Sequence, residues 1–132
     1  MPKEDYLLKY LEKLSRVIAA MIGFRDKGFP EDALKLADET FKELFDYNAE
    51  ELAIMPLDKF VEILKKTAYT STYLEILAKI ANETADAYQM LGNKEFASVF
   101  YRKTLEIYYM LNEKDKTFSF EREMKIAELK EK

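Results

Sequence analysis

The chain has 132 residues, 48% of them hydrophobic and 35% charged, with a formal net charge of −4 and neither cysteine nor histidine. That length suits one domain around one core, and the composition excludes a disordered chain. The missing cysteines exclude disulfides, thiolate metal sites and thiol nucleophiles, and the missing histidines remove the commonest general base and the Glu-x-x-His motif of helical di-iron sites.

Any catalysis would have to run on Asp, Glu, Lys, Tyr, Ser or Thr, so no enzyme activity, cofactor or metal is expected. A mildly negative charge argues against nucleic-acid binding. No stretch reaches the ~18 consecutive apolar residues of a membrane span. The apolar residues after Met1-Pro2-Lys3-Glu4-Asp5 are interrupted by Lys9, Glu12, Lys13 and Arg16, unlike a signal peptide. A cytoplasmic location is expected.

Apolar spacings of three and four run throughout, with scarce Gly and Pro as punctuation, which predicts an all-α fold. The first helix is expected over 3–27. At 100° per residue, its apolar residues from Tyr6 to Phe24 share an arc roughly 160° wide, broader than the ~100° stripe that faces one neighbour. Gly28 ends it. Pro30 opens a second helix over 30–45, with Glu31 and Asp32 in the first turn, where the helix dipole favours them. Asn48 is placed to cap a short turn through Glu51 and Leu52. Pro56 begins a third helix to Lys66 that buries Leu57, Phe60, Val61 and Leu64. Thr70 or Ser71 caps a long helix to Leu91, Gly92-Asn93 turns the chain, and the most apolar helix follows over 94–112. A last helix runs from Ser119. The expected domain is therefore the whole of 1–132: a hairpin over 3–45, a connecting helical segment over 48–67, a second hairpin over 70–112 and a C-terminal helix over 119–131.

The segments around the two turn glycines echo one another. Gly28 is followed by Ala33, Ala37, Thr40 and Phe41, and Gly92 by Ala97, Tyr101, Thr104 and Leu105 at the same offsets. An aromatic, Phe24 or Tyr88, precedes each glycine by four. A small residue near the start of the second helix lets two backbones approach, while the aromatics fill the hairpin interior. On these residues the chain resembles the tetratricopeptide repeat: Ala85, Tyr88, Ala97 and Tyr101 fall at that family's small, aromatic, small and aromatic signature positions. The family's early Trp and Leu and its closing Pro are absent, and the echo's offset is not a multiple of the usual repeat length of about 34. The resemblance implies antiparallel helical hairpins packed as a right-handed array, or a compact bundle of five to six helices. The opening Glu4-Asp5-Tyr6-Leu7-Leu8, with the Gly28 hairpin, is also similar to a small family of uncharacterised bacterial proteins, which implies a similar fold and supplies no activity.

Among candidate sites, carboxylate pairs such as Glu39 and Glu43 occur at chance spacing without a calcium-loop motif. The hydroxyl run Tyr69-Thr70-Ser71-Thr72-Tyr73 lacks a base to activate it and is read as a helix cap. The three glycines form no phosphate-cradling loop. Residues 30–62 hold three lysines against ten acids, while residues 1–29 are net basic. The acidic stretch is read as a solvated face, with docking of a basic partner as the sharper possibility.

Two apolar surfaces remain. The 94–112 helix carries more apolar perimeter than one neighbour requires: either the first, fourth and last of the predicted helices surround it, or Tyr101, Leu105, Tyr108 and Tyr109 form a candidate interaction surface, a partly exposed aromatic groove. The first helix places Leu7, Leu11, Leu14, Ile18 and Met21 at heptad-like spacing, a candidate dimer seam. The expected function is non-catalytic protein–protein interaction or self-association as a homodimer. The competing reading is a small-molecule binder or enzyme with an inter-helix pocket. A polar-lined cavity or an open apolar groove would discriminate between them.

Overall fold

A computed structural model describes residues 3–67 and 70–132, with side chains from Tyr6 onward. These residues form seven helices and no strand: α1 (Lys3–Lys27), α2 (Pro30–Phe45), α3 (Ala49–Ile54), α4 (Leu57–Thr67), α5 (Ser71–Met90), α6 (Lys94–Lys114) and α7 (Phe120–Lys130). The expected five to six becomes seven because the short turn after Asn48 is a helix of its own. Asn48 Oδ1 accepts the Glu51 N–H and the Glu51 carboxylate accepts the Asn48 N–H, a reciprocal capping box.

The other ends follow the same chemistry. Pro30 is the first residue of α2, where its missing N–H costs nothing. Thr70 caps α5 through the Tyr73 N–H at 3.0 Å, Asn93 caps α6 and Ser119 caps α7. Gly28 and Gly92 both sit at φ +81°, the left-handed region that ends a helix without a Cβ penalty. Tyr69 of the hydroxyl run lies outside the described residues.

α5 is the central element. It packs most closely on α6, its partner across Gly92-Asn93, and then on α1 and α2. α6 in turn receives α7 on one side and α3 and α4 on another. One apolar core draws on all seven helices. Through it runs a chain of rings: Phe45 and Phe41 of α2 at 6.3 Å, Phe41 and Phe100 at 5.9 Å, Phe100 and Tyr88 at 5.8 Å, and Phe96 edge-on to Tyr88 at 5.3 Å. These offset and edge geometries are the favoured ones for aromatic pairs. Ala85 and Ala97, both fully buried, are the small residues of the α5–α6 hairpin.

Candidate functional site

The predicted aromatic surface on α6 is interior. Tyr101, Leu105 and Tyr108 are only 5%, 8% and 5% exposed, and Tyr109 alone reaches solvent at 36%. Of the two readings of this face, core or open groove, the burial matches the core, with α5, α7 and the α3–α4 segment packed around α6. The α1 stripe is also drawn inward. Leu14 and Met21 are fully buried in the chain's own core, while Leu7, Leu11 and Ile18 are half-buried. Leu7 and Leu11, with Leu44 of α2, line an apolar recess of about 350 Å³ that also includes Thr67. Ala68 and Tyr69, which follow Thr67, lie outside the described residues. Tyr6 and Leu8 stand exposed on the same end of α1.

A larger cleft, of about 500 Å³, opens between α1, α5 and α7 over a floor that includes Tyr108 of α6. Its walls follow from helical spacing. Glu75, Lys79, Asn82 and Glu83 recur at intervals that keep them on one face of α5. Glu121, Lys125 and Glu128 do the same on α7, with Arg122 and Met124 beside them, and Ile18 and Ile22 form the α1 wall. The cleft is therefore mixed: two charged walls, one apolar wall and a phenolic floor.

Several of its polar groups are deeply buried and incompletely paired. Asn82 is 8% exposed, and its carboxamide oxygen has no hydrogen-bond partner among the described residues. Arg122 is 7% exposed. Its Nη1 donates to Asn112 Oδ1 at 3.1 Å and its Nη2 to Asp115 Oδ2 at 3.2 Å, but its Nε has no partner among the described residues. Asp115 also accepts the Thr117 N–H at 3.0 Å. That backbone donor first, and Arg122 second, hold its carboxyl below the usual range. Tyr108 makes no hydrogen bond among the described residues. Burial pushes its phenol up to about 12, helped by the charges of Glu75, Glu121 and Glu128 and opposed by Arg122. Unmade hydrogen bonds at buried groups are uncommon and costly.

At one end of the cleft a charged network locks three helices together. Arg25 Nη1 of α1 donates to both oxygens of Glu83, at 2.6 and 2.9 Å, and lies 3.4 Å from Asp86 Oδ2. The Tyr101 hydroxyl closes the network from α6 by donating to Asp86. Burial raises the Glu83 carboxyl above its ordinary range, with the Arg25 charge pulling it back.

A separate buried cation lies on the far side of α6. Lys103 is 3% exposed and donates from Nζ to the Met55 carbonyl at 2.9 Å, with the Phe60 ring 5.5 Å away. No acid pairs with it within 4 Å among the described residues, and burial pushes its ammonium below the usual lysine range. Neither Lys103 nor the Arg25–Glu83–Asp86–Tyr101 network was expected from the sequence. The available signal was a charged residue inside a helix apolar on nearly every side, since α5 is buried almost without interruption from Tyr73 to Tyr88.

Among the described residues no group of three or more Asp or Glu is placed to hold a metal ion, and no helix is long and apolar enough to cross a membrane. No protein-family model matches the chain, and searches of curated proteins and of solved structures return no match.

Proposed function

We propose that this chain is a non-catalytic interaction module, a tetratricopeptide-like pair of hairpins with a closing helix, that receives a segment of a protein partner in the α1–α5–α7 cleft. The observation that carries the reading is the cleft itself. The first helix of each hairpin, α1 and α5, and the closing α7 face one recess of about 500 Å³, with the Asn82 carboxamide oxygen, unpaired among the described residues, in its lining. An apolar wall from Ile18 and Ile22, an exposed Met124 lip and buried polar groups are the mixture that holds a peptide by both burial and hydrogen bonds. The packing of α5 on both α1 and α2 supports the array-like arrangement.

Peptide-display selection on the immobilised chain tests this. Selected peptides are expected to bind in solution and to lose about tenfold in affinity, ~1.4 kcal/mol, against the Ile22→Ser/Met124→Ser variant with unchanged circular dichroism. Absence of any enriched peptide, or equal binding to that variant, rejects the reading.

Self-association is a second reading, supported by the exposed Tyr6 and Leu8 beside the α1 recess. Its occupant would be a second copy of the chain, since the net-basic residues 1–29 and the acid-rich residues 30–62 are complementary in charge. Light scattering across about a hundredfold dilution should then show a dimer that Leu8→Glu converts to monomer. A monomer throughout rejects it.

A further inference from the structure

Resting on the reading of the cleft as a peptide site, we propose that its occupant inserts an arginine side chain between Glu75 of α5 and Glu121 of α7, above the Tyr108 hydroxyl. The argument is an accounting of which groups facing the cleft are already satisfied. On α5, Glu83 is taken by Arg25. On α7, Arg122 is taken by Asp115, and Lys125 lies 3.6 Å from Glu128. Among the described residues, α1 contributes Ile18 and Ile22 to the lining. What is left is the half-buried Glu75, the exposed Glu121 and the exposed Lys79, none with an ion pair within 4 Å among the described residues, together with two deeply buried polar side chains, Asn82 and Tyr108.

The unspent charge is net negative. Two carboxylates, Glu75 and Glu121, stand against one ammonium, Lys79; the Asn82 carboxamide and the Tyr108 hydroxyl can each accept as well as donate, and the enclosed Arg122 Nε only donates. Lys79 is exposed on a long flexible stem, so it can turn to water as a ligand enters. The field at the floor has the matching sign: around the Tyr108 hydroxyl the charges of Glu75, Glu121 and Glu128 outnumber the opposing Arg122. A guanidinium has five N–H donors in a planar fork and no acceptor, so it spans two carboxylates better than an ammonium does. The Ile18–Ile22 wall offers apolar surface to the methylene stem of the same side chain.

The experiment is a display selection of random peptides on the purified full chain, followed by binding of one selected peptide in solution. Wild type is expected to enrich a fixed arginine, and replacing that arginine with neutral, near-isosteric citrulline should weaken binding about tenfold. Glu75→Gln/Glu121→Gln should erase the preference, as should Tyr108→Phe in part, with thermal midpoints near wild type. Glu39→Gln/Glu50→Gln, in the acid-rich 30–62 segment, should leave it intact. Enriched peptides without a fixed basic residue overturn the inference while the peptide-site reading stands. Equal loss from the 39/50 variant overturns it in favour of diffuse attraction. Displacement of the peptide by agmatine at the peptide's own affinity would make the occupant a free small cation. No enrichment at all rejects inference and reading together.

Discussion

The Tyr101 hydroxyl donates a 2.5 Å hydrogen bond to Asp86 Oδ1, so the second helix of the α5–α6 hairpin is bolted to the first by a charge-assisted contact. Tyr101→Phe keeps the buried ring and removes only that bond. Asp86 retains partial access to water, so the expected loss is about 1–2 kcal/mol in urea denaturation. Tyr109→Phe, at the edge of exposure, should change stability by less than about 0.5 kcal/mol.

Arg25 is the counter-charge of the buried Glu83. Arg25→Met should cost about 2–3 kcal/mol at neutral pH, below the ~3–5 of a fully buried pair because Arg25 is about a third exposed. Glu83 titrates above its unfolded value in the fold, so protonating it stabilises the native state. The variant's deficit should therefore shrink as pH falls, with the relief complete once pH lies below the folded Glu83 value of the wild type, since the unfolded value is common to both chains. A deficit constant with pH would mean that the loss is packing alone.

Lys103 gives a test of opposite direction. Its folded ammonium titrates below the unfolded lysine value, so the native state gains stability as pH rises between the two. Lys103→Met lacks this gain. The stability of the variant relative to wild type should decline steadily from neutral pH toward about pH 10, measured by denaturant midpoints at each pH.

The buried phenols act at higher pH. Tyr88 and Tyr108 are pushed to about 12 by burial, and Tyr101 is raised too. Absorbance near 295 nm follows tyrosinate as it forms. These three should resist until the chain unfolds. Because their folded values exceed the unfolded one, the stability they lend is complete below about pH 10 and lost above it.

The small residue of the hairpin supplies the last test. Ala97 has no exposed surface, and Ser98 beside it faces water. Ala97→Leu should overpack the α5–α6 contact at a cost of about 1–3 kcal/mol, while Ser98→Leu should be nearly neutral. Equal melting temperatures would contradict the close approach.

Local chemistry made much of the fold legible. Gly28, Pro30, Asn48, Thr70, Gly92 and Ser119 each act through neighbours within a few residues, so the ends they set could be read directly from the chain. Whether Tyr101 and Tyr108 lie in the core or on an open face could not be read, for the converse reason. Periodicity gives the width of an apolar arc but not how many helices will cover it, and α6 is covered by four. The cleft was less legible still. Glu75 and Glu121 read separately as ordinary solvated acids, and only the docking of α7 beside α5 brings them to one recess with Tyr108. Arg25 and Glu83 lie on helices far apart in the chain, so no local pattern joins them.

The ring chain of the core also sets an order of events. Tyr88 and Phe96 lie on either side of the Gly92 turn, so their contact needs only a short loop to close. Phe41 and Phe100 are separated by α3, α4 and all of α5, and their stack carries the larger loop-closure entropy. The α5–α6 hairpin should therefore assemble early, with the Phe41–Phe100 junction closing near the rate-limiting step. Shortening the α3–α4 detour should then speed folding more than strengthening either hairpin turn would.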